Sequence, residues 1–193
     1  MGRRNGSTLR FAELSPATWK DLERLFGEKG ACGGCWCMTW RLPPKVFAAQ
    51  KGDGNRRALR ALVKSGRPLG VLAFAGDEPV GWCAVAPRTD FPSLERSRVL
   101  APVDDHPVWS VTCFFIRKDY RRRGVSKELL RAATQLAWKH GASIVEGYPV
   151  AAKQKSPDVF VWTGVTGTFA SNGFVEVARR SPTRPIMRAY RKK

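Results

Sequence analysis

Residues 108–152 read VWSVTCFFIRKDYRRRGVSKELLRAATQLAWKHGASIVEGYPVAA, and a change of period inside this stretch decides the fold. Val108 to Ile116 is a β-branched and aromatic run of strand length. A polar turn follows, from Arg117 to Arg123, and ends at Gly124. From there Val125, Leu129, Ala132, Ala133, Leu136 and Ala137 recur at three-to-four-residue spacing, which is one face of a helix. Gly141 is placed to stop that helix as a left-handed cap. Ile144 to Val150 is a second apolar strand. The unit is strand, loop, helix, strand. Its loop delivers backbone N–H groups to a helix N-terminus, where the partial positive charge favours an anion. Arg121, Arg122 and Arg123 crowd the same place, so the loop reads as a pyrophosphate cradle.

Composition bounds the rest. A chain of 193 residues with 43% hydrophobic content suits one α/β domain with a core of its own, spanning residues 1–193. Lys and Arg number 34 against 16 Asp and Glu, a formal charge of +18. Such a surplus attracts polyanions, whether nucleic acid, an acidic surface or a polyphosphate cofactor. Seven basic residues fall in 117–131 and seven in 179–193, so the first group flanks the cradle and the second reads as a basic tail. That tail lacks the aromatic–basic interleaving used to stack bases, which leaves nucleic acid a less favoured partner. No run approaches the roughly 20 apolar residues that span a bilayer. The N-terminal stretch has charge but no apolar segment of signal-peptide type. A cytoplasmic protein, monomer or homodimer, is expected. Its five cysteines are then expected to be reduced.

Working outward, Thr8–Leu14 reads as a first strand, and Ser15-Pro16 opens a helix with Trp19, Leu22, Leu25 and Phe26 on its apolar face. Residues 31–44, ACGGCWCMTWRLPP, follow. Cys32, Cys35 and Cys37 are three soft ligands, but no fourth Cys or His lies nearby, so no metal site is expected. The alternation of Trp36, Met38 and Trp40 suggests a loop running into a short extended segment. Trp36 and Trp40 are the expected walls of a substrate pocket. A helix opens at Asp53–Asn55 and stops at Gly66. Residues 70–75 and 80–86 form a hairpin. Residues 87–107 carry four prolines and read as a loop with a short helix near Leu94–Val99. After the central unit, residues 151–167 read as a mobile loop near the ligand end of the sheet. One or two helical turns over Gly167–Asn172 then precede closing strands at Phe174–Ala178 and Ile186–Tyr190.

On these residues the chain resembles the GNAT superfamily of acetyl-CoA-dependent N-acyltransferases. Arg121-Arg122-Arg123-Gly124-Val125-Ser126 matches the superfamily's (Q/R)-x-x-G-x-(G/A) element, with Ser126 in place of the usual Gly or Ala. Phe169-Ala-Ser-Asn-Gly-Phe174 is similar to its Y-x-x-x-G-F element. The resemblance implies an α/β fold: a mixed, twisted sheet of six to seven strands flanked by helices. It also implies that acetyl-CoA is the co-substrate. Backbone groups around Phe114, Phe115 and Ile116 would hold the pantetheine arm, and N–H groups from Arg122 to Ser126 the pyrophosphate. The two central strands would splay to admit the thioester.

One departure matters. Many members place a tyrosine where Phe169 stands, as the acid that protonates the leaving thiolate, and phenylalanine has no proton to give. Tyr148 is the candidate replacement, and Glu146, two residues earlier on the same strand face, is the candidate base. Asp104, Asp105 and His106 are alternatives for the base. The expected reaction moves an acetyl group to a primary amine of a small molecule: a metabolite, an amino-acid-like compound or an antibiotic. Transfer to a protein or RNA-associated amine, or a non-catalytic acyl-CoA or nucleic-acid-binding role, remains the alternative.

Overall fold

The computed structural model describes residues 8–151 and 162–192. In chain order the elements are β1 (Leu9–Glu13), α1 (Trp19–Phe26), α2 (Pro44–Ala49), α3 (Asp53–Lys64), β2 (Gly70–Ala75), β3 (Glu78–Pro87) and α4 (Pro92–Glu95), then β4 (Trp109–Ile116), α5 (Val125–Lys139), β5 (Ile144–Gly147), α6 (Thr166–Ala170), β6 (Val175–Arg179) and β7 (Pro185–Tyr190). One seven-stranded sheet has the order β1-β2-β3-β4-β5-β7-β6. Neighbouring strands of this sheet pair antiparallel except β4 with β5, which run parallel. The parallel pair needs a crossover, and α5 supplies it, as the change of period in residues 108–152 anticipates.

The sheet buries both faces, so its central strands are apolar without alternation. On one face Leu129, Leu130, Ala133 and Ala137 of α5 pack on Val71, Val85, Val111 and Val145. Each fully buried Leu there is worth roughly 1.5–3 kcal/mol. On the other face α1 and α3 place Leu22, Phe26, Leu59 and Val63 against Leu72, Phe74 and Trp82. A third cluster, Ala86, Phe91, Leu94, Leu100, Tyr148 and Ile186, closes the end of that second face. Gly141 has φ 88°, the left-handed conformation that lets the chain turn from α5 into β5.

Several boundaries differ from the sequence reading. Strand β5 stops at Gly147, and Val150 instead forms an isolated parallel bridge with Val165. Residues 36–42 are turns and not an extended segment, because Trp36 and Cys37 sit at positive φ, 43° and 55°. The short helix near 94–99 lies earlier, at Pro92–Glu95, where Pro92 begins it. The basic tail expected at 179–193 is largely sheet: Pro185–Tyr190 is β7, wedged between β5 and β6, and residue 193 lies outside the described residues. Of the expected mobile loop at 151–167, residues 152–161 lie outside the described residues. No helix among the described residues is long and apolar enough to cross a membrane.

Candidate active site

Strands β4 and β5 pair only over Trp109–Val111 and Val145–Gly147, then part. The parting begins at a bulge. Ala84 faces Cys113 and Val85 faces Val111, so Thr112 is the extra residue of β4. Beyond the bulge Phe114 turns its N–H away from β3 and donates it at 2.6 Å to the Trp162 carbonyl. Backbone groups alternate along a strand, so those of Phe115 aim at β3 and those of Ile116 at the open side again. The Ile116 carbonyl accepts from Arg121 Nε at 3.0 Å. The described part of the loop before α6 runs through the opening: Gly164 accepts the Val150 N–H at 2.8 Å, and Val150 accepts from Thr166 at 3.3 Å. Of the three expected arm-binding residues, Phe114 and Ile116 therefore border the splay, and Phe115 sends its side chain to α1, edge-on to Phe26.

The loop into α5 has the expected form. Arg122 at φ 59° and Gly124 at φ 81° are both left-handed, and Gly124 is the N-cap of α5. The N–H groups of Lys127 and Glu128 bond back to the Gly124 carbonyl, so those of Val125 and Ser126 lie ahead of the first helical bonds. Arg122 and Arg123 are exposed beside them. Arg117, by contrast, is neutralised by Asp119 at 2.8 Å and Glu78 at 3.3 Å.

Glu146 and Tyr148 come together as their spacing implies, within a network that the sequence reading did not foresee. Glu146 is 0% and Tyr148 1% exposed. The Tyr148 hydroxyl donates to Glu146 Oε1 at 2.7 Å, and the same carboxylate receives Arg88 Nη1 at 3.1 Å and Arg188 Nε at 2.7 Å. Arg88 Nη1 also donates to the Tyr148 oxygen at 2.7 Å. Ser110 Oγ lies 2.8 Å from that oxygen and, since the tyrosine proton goes to Glu146, Ser110 is the donor. Burial, then the neighbouring Glu146 charge, pushes the Tyr148 phenol well above its ordinary range. Asp104 is held down to about 2 by its hydrogen bonds from Arg188, and so acts as that arginine's counter-ion. The usable signal was an Arg in the middle of the apolar run IMRAY and a Glu in IVEGY, since an ion amid apolar strand residues needs a buried partner.

The structure separates the two tryptophans expected to share a pocket. Trp36 is in the α1-side core, stacked on Trp19 at 6.1 Å and edge-on to Phe26. Trp40 instead meets Trp162, with ring centroids 5.8 Å apart, beside the splay. Phe169 is fully buried between Phe114 and Phe174. Its ring covers Gly147, where a Cβ would stand 2.1 Å from Phe169 Cε1. Cys37 is buried and accepts the Trp82 indole N–H at 2.9 Å. Among the described residues no group of three or more His, Cys, Asp or Glu could hold a metal ion.

A parted parallel strand pair that leads into a left-handed glycine at a helix start can hold a long, anion-tipped thioester. Comparison with known proteins agrees. The profile of the acetyltransferase (GNAT) family matches residues 36–154. Among solved structures, the chain is similar to an aminoglycoside N-acetyltransferase, AAC(6')-Iy, in complex with CoA: TM-score 0.55, 16% identity, 100% of this chain and 99% of that one covered. It is similar to the PaiA N-acetyltransferase from Thermoplasma acidophilum in complex with coenzyme A: TM-score 0.54, 13% identity, 95% and 99% covered. A GNAT-family acetyltransferase from Streptococcus agalactiae gives TM-score 0.55, 13% identity, and 96% of each chain. At these identities the structures speak to the fold. No curated protein matches the chain.

Proposed function

The chain belongs to the acetyltransferase (GNAT) family and takes acetyl-CoA as its acyl donor, and from that premise we propose that the acceptor is the primary amine of a small molecule. The observation that carries this reading is the closely packed apolar cluster at the end of β5, beside the splay. Phe91, Leu94 and Leu100 are buried there against Tyr148, and Ser93 ties their segment to the 36–42 turns through the Trp40 carbonyl at 3.1 Å. Close packing beside the splay leaves little width for the acceptor, which suits a compact amine, whereas a polypeptide or RNA needs an open groove. Coupled thiol release from acetyl-CoA, screened across small amines, peptides and RNA, tests it. Turnover is expected with small amines, and turnover confined to peptides or RNA would reverse the assignment.

In this reading the pyrophosphate rests on the N–H groups from Arg122 to Ser126, with Arg121, Arg122 and Arg123 supplying positive charge. The pantetheine arm runs along Phe114 and Ile116, where it exchanges with the Trp162 carbonyl for the Phe114 N–H. The amine nitrogen attacks the thioester carbon, and a backbone N–H at the bulge steadies the oxyanion. The C–S bond then breaks, and its electrons leave on sulfur. Phe169 offers no proton, and a thiolate of modest basicity leaves without one. Tyr148 and Glu146 act as a pair: the Ser110 hydroxyl, which donates to the Tyr148 oxygen in the resting protein, turns away to free a lone pair there, and that oxygen takes the amine proton as its own proton passes to Glu146. The support for this is their 2.7 Å hydrogen bond at the end of β5.

Two outcomes check the donor site. Gly124→Val places a β-branched residue at φ 81°, a conformation that costs about 1–3 kcal/mol for such a side chain. Coenzyme A affinity, measured by calorimetry, should fall about tenfold or more as the loop relaxes away. An unchanged affinity would misplace the cradle. Saturating acetyl-CoA at a hundredfold excess over its dissociation constant should add about 2.7 kcal/mol of stability. That is about 5–11 °C in melting temperature for a chain of this size, and a flat thermal shift would count against the site.

A further inference from the structure

Five buried or half-buried arginines come with carboxylates. Arg41 has Asp90, Arg56 has Glu23, Arg88 and Arg188 share Glu146, and Arg117 has Asp119. Arg184, half-buried just before β7, is different. Its Nη1 donates to Thr163 Oγ1 at 2.7 Å and lies 3.5 Å from the Tyr148 carbonyl, and no carboxylate among the described residues reaches it. Burial lowers its pKa with nothing to offset it. A guanidinium has five donors in a rigid fork, and this one has a single good partner. Such an arrangement is costly unless something anionic arrives.

Its position says what. Thr163 follows Trp162, whose carbonyl holds the Phe114 N–H at the splay and whose ring faces Trp40. The Trp40 indole N–H is itself buried without a partner. Beside the end of β5 the protein therefore holds a guanidinium with no carboxylate partner among the described residues and, one residue from its Thr163 partner, the paired indoles of Trp162 and Trp40. The spare polar groups of Arg184 are donors and its neighbours are indole rings, so the complement is an anion on an organic body.

We propose that Arg184 is a specificity-determining residue that binds a carboxylate on the acceptor, so that the substrate is an α-amino acid or a closely similar amino-carboxylate. The inference rests on the small-molecule reading above. The fork of Arg184 matches a carboxylate through two parallel N–H bonds, and Trp40 with Trp162 flanks the side chain or carbon skeleton. A phosphonate or phosphate presents the same oxygens, and the experiment separates the two.

The test compares amino acids with the amines obtained from them by decarboxylation, and with their aminophosphonate analogues, in acetyl-CoA turnover. Wild type is expected to favour the amino acid by about 10²-fold in kcat/KM, since a site built around a polar group discriminates strongly against its absence. Arg184→Gln should collapse that ratio toward unity through KM, and Arg184→Lys, a point charge without the fork, should fall between. A thermal shift with coenzyme A plus amino acid, present in wild type and absent in Arg184→Gln, supplies a reading independent of turnover. Equal rates on acid and amine, a preference for the phosphonate, or an equal loss on both in Arg184→Gln would overturn the assignment to Arg184 and leave the small-amine reading standing. No turnover with any amine, in a protein that still binds coenzyme A, would remove both.

Discussion

Replacing Gly147 with valine is expected to lower the melting temperature by about 6–12 °C, from an overpacking cost of about 3 kcal/mol. Gly147 ends β5 opposite Val111, at the last parallel pair before the splay. A Cβ there would lie 2.1 Å from Cε1 and 2.8 Å from Cζ of Phe169. The ring has no room to retreat, because it is 0% exposed and packed edge-on between Phe114, 6.2 Å away, and Phe174, 5.0 Å away. The cost therefore belongs at the upper end of the usual range. Coenzyme A affinity should fall with it, since Phe114 carries the N–H at the splay and would be displaced with the ring. A double-mutant cycle isolates the cause: Phe169→Leu should lose less stability in the valine background than in wild type, a coupling visible only between groups in contact. Simple additivity, or a valine variant that melts within 2 °C of wild type, would show that the close approach does not exist.

How much of this was legible beforehand depends on distance along the chain. The unit from β4 to β5 was readable because each of its periods is local: two in the strands, 3.6 in α5, and glycines where the backbone turns left-handed. The hairpin was readable for the same reason. What was missed needs contacts far apart in sequence. Glu146 and Tyr148 are two residues apart and their shared face followed from the pleat. Their partners Arg88, Arg188 and Asp104 lie 58, 42 and 84 residues from the groups they bind. The alternation of Trp36 and Trp40 misled because period-two reasoning presumes extended backbone, and the turns at Trp36 and Cys37 break it. Phe169 was read as a departure from the family's tyrosine on its place in the F-x-x-x-G-F element alone. That its ring forces a glycine at 147 could be seen only once the strand and α6 were side by side.

Glu146→Gln should have two separable effects, one on stability and one on rate. The carboxylate is fully buried between Arg88 and Arg188. Removing its charge leaves two arginines with only Glu95 and Asp104, both nearer solvent, to balance them. Breaking a buried pair in this way costs about 3–5 kcal/mol, which is about 6–20 °C in melting temperature. Tyr148→Phe removes no charge. It strands one donor each on Arg88 and Ser110 and should cost about 1–3 kcal/mol. The proton relay predicts a different ranking in rate. Both variants cut the same path from amine to carboxylate, so both should lose about 10²–10⁴-fold in kcat when assayed well below their melting temperatures. The loss should be greatest at low pH, where the amine arrives protonated, and should shrink as pH rises and free amine accumulates. A purely structural network predicts something else: rates that follow the folded fraction, no pH dependence in the loss, and a Tyr148→Phe enzyme close to wild type. Coenzyme A affinity must be equal across the three proteins for the comparison to hold. If Tyr148→Phe keeps wild-type kcat at every pH, the relay is wrong, and the amine loses its proton to water while Glu146 serves only to hold Arg88 and Arg188 in place.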